Sequence, residues 1–453
     1  MTVQVPAARP RTPWIAIAPW AAIAALSCLV ILAAQGMGLL SLLLAVLFGV
    51  AAALGIAAYA PAALVVLAPA LLPPERLWIV FPWELAYLGL AAIVALHALY
   101  AKPDWARRLE RIEVANLLFV GWAALTIFWS AEKMDWLLGV RRLTGGAITL
   151  WLALRLARWV KRPVFEAGLL AAVLSLTLAA LGHRQTMGIS ENKLRLDRAQ
   201  ATNLGWGTAN FIATLLLVLT PPLLELALRS RHRWLKIATW PALLIVGLYQ
   251  VVNASRAATV LFFAGVIVQL VGRSVRRSVA LVLGMGALIT GIALSPLSQG
   301  LLMRFTSLRD LGSMVIRIWY VRAAWRRTID NFPLGIGLGQ GLTYPDHLQH
   351  TDPHDYWLAV SSELGVLGVL LWIAVLVMLW RRISAVARTP GWEGMGRALQ
   401  VSFWLSQLHT IVEPTFQGVQ YQFVYFWVMG GYLGYHAVAM ERASLREPDS
   451  ISP

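Results

Sequence analysis

Three histidines and two aspartates fall within the stretch "HLQHTDPHDYW" (347–357): His347, His350, His354, Asp352 and Asp355. An imidazole is close to half-neutral at pH 7 and can take a proton from a hydroxyl, so one of these histidines could act as a general base. His354 is best placed for that work, because an apolar helical pattern starts directly after it and would hold it at the rim of a cavity. The same residue types could bind a metal ion. However, the spacing of His347, His350, His354 and Asp352 fits no standard zinc pattern, and Pro353 breaks any helix that would align them. His347 and His350 also read simply as solvated loop residues.

Arginine offers a second chemistry. Its planar fork of donors binds phosphate oxygens in pairs and stays charged at any working pH. Lys193, Arg195 and Arg198 stand in "ENKLRLDRAQ" (191–200), and Arg256 in the short turn 253–256 between two apolar runs. Arg304, Arg309, Arg317, Arg322, Arg326 and Arg327 punctuate 297–356. Taken singly, each reads first as the partner of a lipid headgroup or a nearby acid. Arg256 is the exception, because an ionisable group in so tight a turn against the membrane marks a functional position by default. Several arginines from separate segments, facing one cavity, would suit a diphosphate held at the lipid–water boundary. Glu363 adds a carboxylate inside "YWLAVSSELGVLGVLLWIAVLV", which otherwise reads as one spanning helix. A carboxylate at mid-bilayer costs a few kcal/mol, and facing a cavity would remove most of that. Gly365 and Gly368 follow, small enough to let another helix pack closely.

The scaffold that must position these groups is set by composition. Of 453 residues, 59% are hydrophobic and 13% charged, where a soluble domain carries about a quarter charged residues. Apolar runs long enough to cross a bilayer recur near 14–34, 37–58, 60–80, 83–100, 114–130, 140–157, 164–182, 207–228, 234–252, 257–272, 278–296, 357–380, 397–413 and 419–440. The predicted fold is therefore an all-α, polytopic membrane protein with about 12–14 transmembrane helices. The weakest runs are 60–80, interrupted by "PPER", and 140–157, which opens on Arg141 and Arg142. Cys28 is the single cysteine, which excludes an intramolecular disulfide. The first run is too long for a signal-peptide core and lacks a clear cleavage site, so it reads as a retained helix. No repeat or linker divides the chain. Residues 1–13 read as a cytoplasmic tail, 14–440 as one transmembrane domain and 441–453 as a second cytoplasmic tail.

The net charge of +16 is distributed for topology rather than for nucleic acid. Basic residues concentrate in short loops between apolar runs, the pattern of cytoplasmic loops. "KPDWARRLER" (102–111), "RWVKR" (158–162), "RSRHRWLK" (229–236), "GRSVRR" (272–277) and "RRISAVAR" (381–388) should share that side with both termini. Parity then puts 183–206, 253–256, 297–356 and 413–420 outside, where the polar anomalies gather. The long segment 297–356 should contain an amphipathic helix near 313–329, with Ile316, Trp319, Tyr320, Ala323 and Ala324 on one face.

These residues carry a resemblance. "HDYWLAVSSELGVLG" (354–368) resembles the His-Asn-x-x-Leu…Glu-x-Gly-x-x-Gly signature of the O-antigen ligase and polymerase superfamily. "RAQATNLGWGTANFIAT" (198–214) is similar to its Arg…Asn-x-Asn-x-x-Ala segment, with Asn210 at the second asparagine. "SRAATVLFFAG" (255–265) resembles its Ser-Arg-Gly-Ala turn, and "RIWYVRAAWRRTIDNFPLGIGLGQG" (317–341) its Arg…Trp…Pro-x-x-Gly-x-Gly-x-Gly stretch. The four occur in the family's order over about residues 195–380.

The resemblance implies a membrane glycosyltransferase of the GT-C type in the bacterial inner membrane. It would take an undecaprenyl-diphosphate-linked glycan as donor and work on the periplasmic face with no metal or other cofactor. It implies Arg198, Arg256, Arg317 and Asn210 as the donor diphosphate site. Arg256, Arg317 and His354 would be catalytic, with His354 at the acceptor and Glu363 and Asp355 supporting. The expected activity is that of an O-antigen ligase, inverting, with lipid A–core oligosaccharide as acceptor in lipopolysaccharide synthesis. A polymerase joining carrier-linked repeats is the alternative, and a protein hydroxyl is a further acceptor type. There are two departures from the pattern: Asp355 replaces the usual Asn or similar amide, and Val369-Leu370 stand where many ligases have Thr-Thr. A lipid-linked glycan transporter is the rival from another class; inverted repeats and paired broken helices would mark it, and neither is legible in the sequence.

Overall fold

The computed structural model describes residues 109–158, 161–170, 173–174, 177, 209–253, 255–271, 311–343, 350–351, 355–413 and 415–445. The predicted runs between 14 and 100 and at 278–296, the segment 183–206 and the tail 1–13 lie outside them. The described chain is helical: α1 Arg111–Leu125, α2 Lys133–Leu156, α3 Ala209–Arg229, α4 Arg233–Asn253, α5 Arg256–Leu270, α6 Leu311–Asp330, α7 Tyr356–Arg388, α8 Glu393–Thr410 and α9 Val419–Ser444. A helical stretch also covers 162–170. A two-residue strand pair, β1 Leu342–Thr343 with β2 His350–Thr351, sets Thr343 opposite His350. Among the described residues, four helical segments are long and apolar enough to cross a membrane: 111–128, 133–155, 212–229 and 356–388. The protein is a helical membrane protein.

Local chemistry explains where these helices start and bend. Glu110 and Glu113 form a reciprocal cap at the head of α1, Glu113 Oε2 accepting the Glu110 N–H at 2.6 Å. Arg141 and Arg142 lie inside α2 rather than opening it, because the helix begins a full two turns earlier, at Lys133. Pro221 and Pro222 interrupt the hydrogen-bond ladder of α3. The Ser402 hydroxyl of α8 donates to the Val218 carbonyl at 2.8 Å, replacing the bond that Pro222 cannot make. α9 is wrapped on nearly all sides, with Tyr421, Tyr425, Trp427 and Tyr432 buried. Gly430 and Gly434 let it lie against α2, where any Cβ at 434 would strike the Leu154 backbone. The Arg155–Glu113 ion pair, buried at both partners, joins α2 to α1.

The bundle has two chemically distinct ends. At one, Arg382 pairs with Glu110 at 2.6 Å, Arg158 with Glu441 at 2.8 Å, and Thr389 meets His436 at 2.8 Å. The basic loops expected to share a side therefore share an end wherever they are described. At the other end, Gln340 bonds Ser130 at 2.8 Å, Arg142 bonds the Gln417 carbonyl at 2.7 Å, and Arg317 pairs with Glu413.

α6 spans the predicted amphipathic helix. Tyr320 and Ala324 are buried, and Trp319, Ala323 and Leu358 of α7 pack against them. α7 reads as one helix in sequence but is two in structure, broken at Gly365, whose φ of 64° and ψ of −163° lie outside the helical region.

Candidate functional site

The break in α7 is filled by backbone. The loop "NFPLGIGLGQG" (331–341) inserts there: the Ile336 N–H donates to the Ser362 carbonyl at 3.0 Å and the Gly337 N–H to the Glu363 carbonyl at 2.9 Å. In return, the Val366 N–H donates to the Pro333 carbonyl at 2.9 Å. Trp122 of α1 adds its indole N–H to the Leu364 carbonyl at 2.8 Å. Groups that a helix interruption would leave unpaired in an apolar bundle are thus satisfied by a neighbour. Gly335 and Gly365 permit the approach: both have positive φ, and a Cβ on Gly335 would lie 2.6 Å from the Glu363 carbonyl oxygen. Gly365 therefore receives a loop and not the second helix expected from its size. At Gly368 an added Cβ would meet Leu364 of its own helix.

Glu363 is buried and turned inward, and its Oε2 accepts the Gly339 N–H at 2.8 Å. Arg327 closes the other end of the glycine loop by donating to the Gln340 carbonyl at 2.6 Å and the Gly341 carbonyl at 3.1 Å. Burial lowers the Arg327 pKa from its ordinary value, and the Glu363 charge opposes that shift. Arg142, Tyr356, Glu363, Gln417 and Gln422 border a small cavity beside Phe119. Its volume of about 20 Å³ has room for roughly one water, too little for a sugar diphosphate.

Asp355 is the N-cap of α7. One carboxylate oxygen accepts the Trp357 N–H at 2.8 Å and the Leu358 N–H at 3.1 Å. Burial pushes its pKa up, while these two bonds pull it down. An Asn side chain offers the same acceptor, so an amide at this position would preserve the cap.

Arg317 lies on the face of α6 that meets the turn after α8. It donates to Glu413 at 2.9 Å and to the Val412 carbonyl at 3.4 Å. Its side chain is 37% exposed and that of Glu413 only 9%, so the guanidinium bridges a buried acid and the open end of the bundle. A chain of polar contacts continues inward. His409, buried in the last turn of α8, meets the Thr214 hydroxyl of α3 at 3.0 Å. Next to Thr214, the Ala213 carbonyl accepts from Gln250 of α4 at 2.8 Å, and the Gln250 carbonyl accepts from Thr259 of α5 at 2.9 Å. Thr259 lies one turn after Arg256, the first residue of α5, and Thr214 one turn after Asn210. The heads of α3 and α5, the tail of α4 and the Arg317–Glu413 pair are thereby tied into one end of the bundle.

For Arg256 and Asn210 the backbone alone is described. Arg198, His347, Asp352 and His354 lie outside the described residues, and His350 enters only as a strand residue. Among the described residues no three His, Cys, Asp or Glu side chains gather around a possible metal position. Sequence reasoning missed Glu413, His409 and Thr214. Glu413 was findable, as the sole acid between Glu393 and Glu441 and in a segment assigned to the outer face. No protein-family model matches the chain, and no curated protein matches it.

Proposed function

We propose that this protein is a glycosyltransferase of the O-antigen ligase type, acting at the periplasmic face of a bacterial inner membrane. Its donor is a glycan on undecaprenyl diphosphate, and its acceptor is lipid A–core oligosaccharide. The observation that carries this reading is the set of polar contacts that runs from Arg317 to Glu413, from the Glu413 N–H to the His409 carbonyl, from His409 to Thr214, and from the neighbouring Ala213 carbonyl through Gln250 to Thr259. It links the described parts of three separate segments of the resemblance at one bundle end. Interlocking of 331–341 with 362–366 joins the last two of the four segments.

The chemistry follows from those residue types. The acceptor hydroxyl attacks the anomeric carbon while the bond to the diphosphate breaks, and the diphosphate leaves with the electron pair. Arg256 and Arg317, with Arg198 and Asn210, stabilise the negative charge gathering on the leaving oxygens. His354 takes the hydroxyl proton. Displacement from the far face inverts the anomeric centre.

The deciding experiment is the envelope glycan profile of a deletion strain. A ligase loss leaves polymerised glycan on the carrier and bare core. A single repeat on the core would instead favour a polymerase, the reading to which Val369-Leu370 lend support. An unchanged profile would remove both. Reporter fusions after residues 230, 275 and 385 should read cytoplasmic and insertions near 190 and 345 periplasmic.

A further inference from the structure

α6 has a second apolar face that no other described residue covers. Opposite Tyr320 and Ala324, the side chains of Ile318, Val321, Trp325, Ile329 and Phe332 form a helical stripe, and each is at least 42% exposed. Arg322 and Arg326, one turn apart, lie along one edge of that stripe and are exposed. Neither is paired with a carboxylate among the described residues. A soluble surface does not maintain five large apolar side chains in a row beside two cations.

The surroundings say what covers this face. α6 runs alongside the upper part of α7 in the same sense: Leu358 packs on Tyr320 and Ala324, Thr328 meets Ser361 at 3.1 Å, and Pro333 bonds Val366. The bond between Pro333 and Val366 brings the exposed Phe332 and Leu334 to the stretch of α7 where an exposed apolar flank, Leu367, Leu370 and Ile373, begins. Gly365 stands about 24 Å along the helix from Arg381 at 1.5 Å per residue. With Arg381 at one edge of a hydrocarbon core of about 30 Å, the loop end of α6 lies just within the opposite edge. Trp325 and Ile329 then fall at the acyl–headgroup boundary, and Arg322 and Arg326 at the level of the phosphates.

We infer that the exposed face of α6 stands against the bilayer boundary, the Trp325, Ile329 and Phe332 end of its stripe among the first acyl carbons and Arg322 and Arg326 on the phosphates of anionic phospholipid. Burial of the apolar end supplies the anchoring, and the two arginines one turn and more above it select negatively charged headgroups. It stands apart from the glycan reading, since it requires a membrane and no sugar.

The test uses the full chain in nanodiscs, with Cys28→Ser and Ile329→Cys and an environment-sensitive fluorophore on the new thiol. Ile329 is exposed, so labelling leaves the fold intact. A nitroxide near the headgroup should quench the label several-fold more than one deep in the acyl chain or aqueous iodide. Phosphatidylglycerol carrying the shallow nitroxide should quench about two-fold or more above phosphatidylcholine carrying it, and Arg322→Gln with Arg326→Gln should remove the difference. Strong iodide quenching would overturn the proposal by placing the face in water. Protection from all quenchers would overturn it by placing protein there, and equal quenching by the two lipids would refute headgroup recognition.

Discussion

Gly339 donates its backbone N–H to the Glu363 carboxylate at 2.8 Å, two residues short of the non-helical Gly365. That bond fastens the glycine loop to the broken helix from the side-chain direction, while Ser362 and Glu363 carbonyls fasten it from the backbone. Glu363→Gln keeps an acceptor and should melt, in detergent, close to the parent. Glu363→Leu leaves the Gly339 N–H unpaired and should lose about 1–3 kcal/mol. Equal losses in both would mean that the charge, not the acceptor, holds the loop.

Gly365→Ala should be among the most damaging single changes in the described chain. Its backbone lies in a region nearly restricted to glycine, costing about 1–3 kcal/mol, and its Cβ would strike the Pro333 carbonyl. Gly391 also has positive φ but open space around it, so Gly391→Ala should be the milder change. Melting temperatures of the two variants check this, and equal losses would show that the loop yields.

Asp355 gives a prediction with a definite sign. Burial places its folded pKa above the unfolded one, so the folded state holds the proton more tightly. Its contribution to stability then falls as pH rises through the unfolded value up to the folded one. Asp355→Asn keeps the cap and abolishes the titration, so at neutral pH it should melt at or above the parent, with any advantage shrinking in acid. Asp355→Ala should lose about 1 kcal/mol. An Asn variant clearly weaker at neutral pH would show that the charge itself is needed.

Arg317 and Glu413 should behave as a unit. Arg317→Lys keeps the charge but loses the fork, and transfer should fall about ten-fold or more. Glu413→Gln should lower transfer in the same direction but less, and the double variant should fall short of the product of the singles. Strict multiplicativity in a transfer assay would show that the two residues act independently and not as a unit.

Donor and acceptor residues should separate by readout. Arg256→Lys should weaken donor binding, whereas His354→Ala should leave donor binding near normal and cut transfer ~10²-fold or more. His347→Ala should be nearly silent. Transfer should persist with a chelator present; loss rescued by one divalent ion would promote His347, His350 and His354 to metal ligands.

Helix positions were legible because burial in lipid requires long apolar runs, and 209–229, 233–253 and 256–270 emerge within a few residues of the runs that predict them. The break at Gly365 was not, because hydropathy is blind to φ and the residues on both sides are equally apolar. Nor was the partner of Arg317: Glu413 is 96 positions away, and pairing across that distance is a property of packing. In the sequence Asp355 stands out only as a departure from a motif, and its cap is visible only once the Trp357 and Leu358 N–H groups have direction.

The interruption of α7 also divides it electrically. A continuous helix of 33 residues carries one macrodipole, with its positive pole at Tyr356 and its negative pole near Arg388. Two segments carry two, so a negative pole at Leu364 and a positive pole at Val366 confront each other across one residue. Each is answered by an opposing dipole, the first by the loop's N–H groups and the second by the Pro333 carbonyl. The field that α7 projects from its outer end is therefore that of about two and a half turns, and the Asp355 carboxylate already sits against its positive pole.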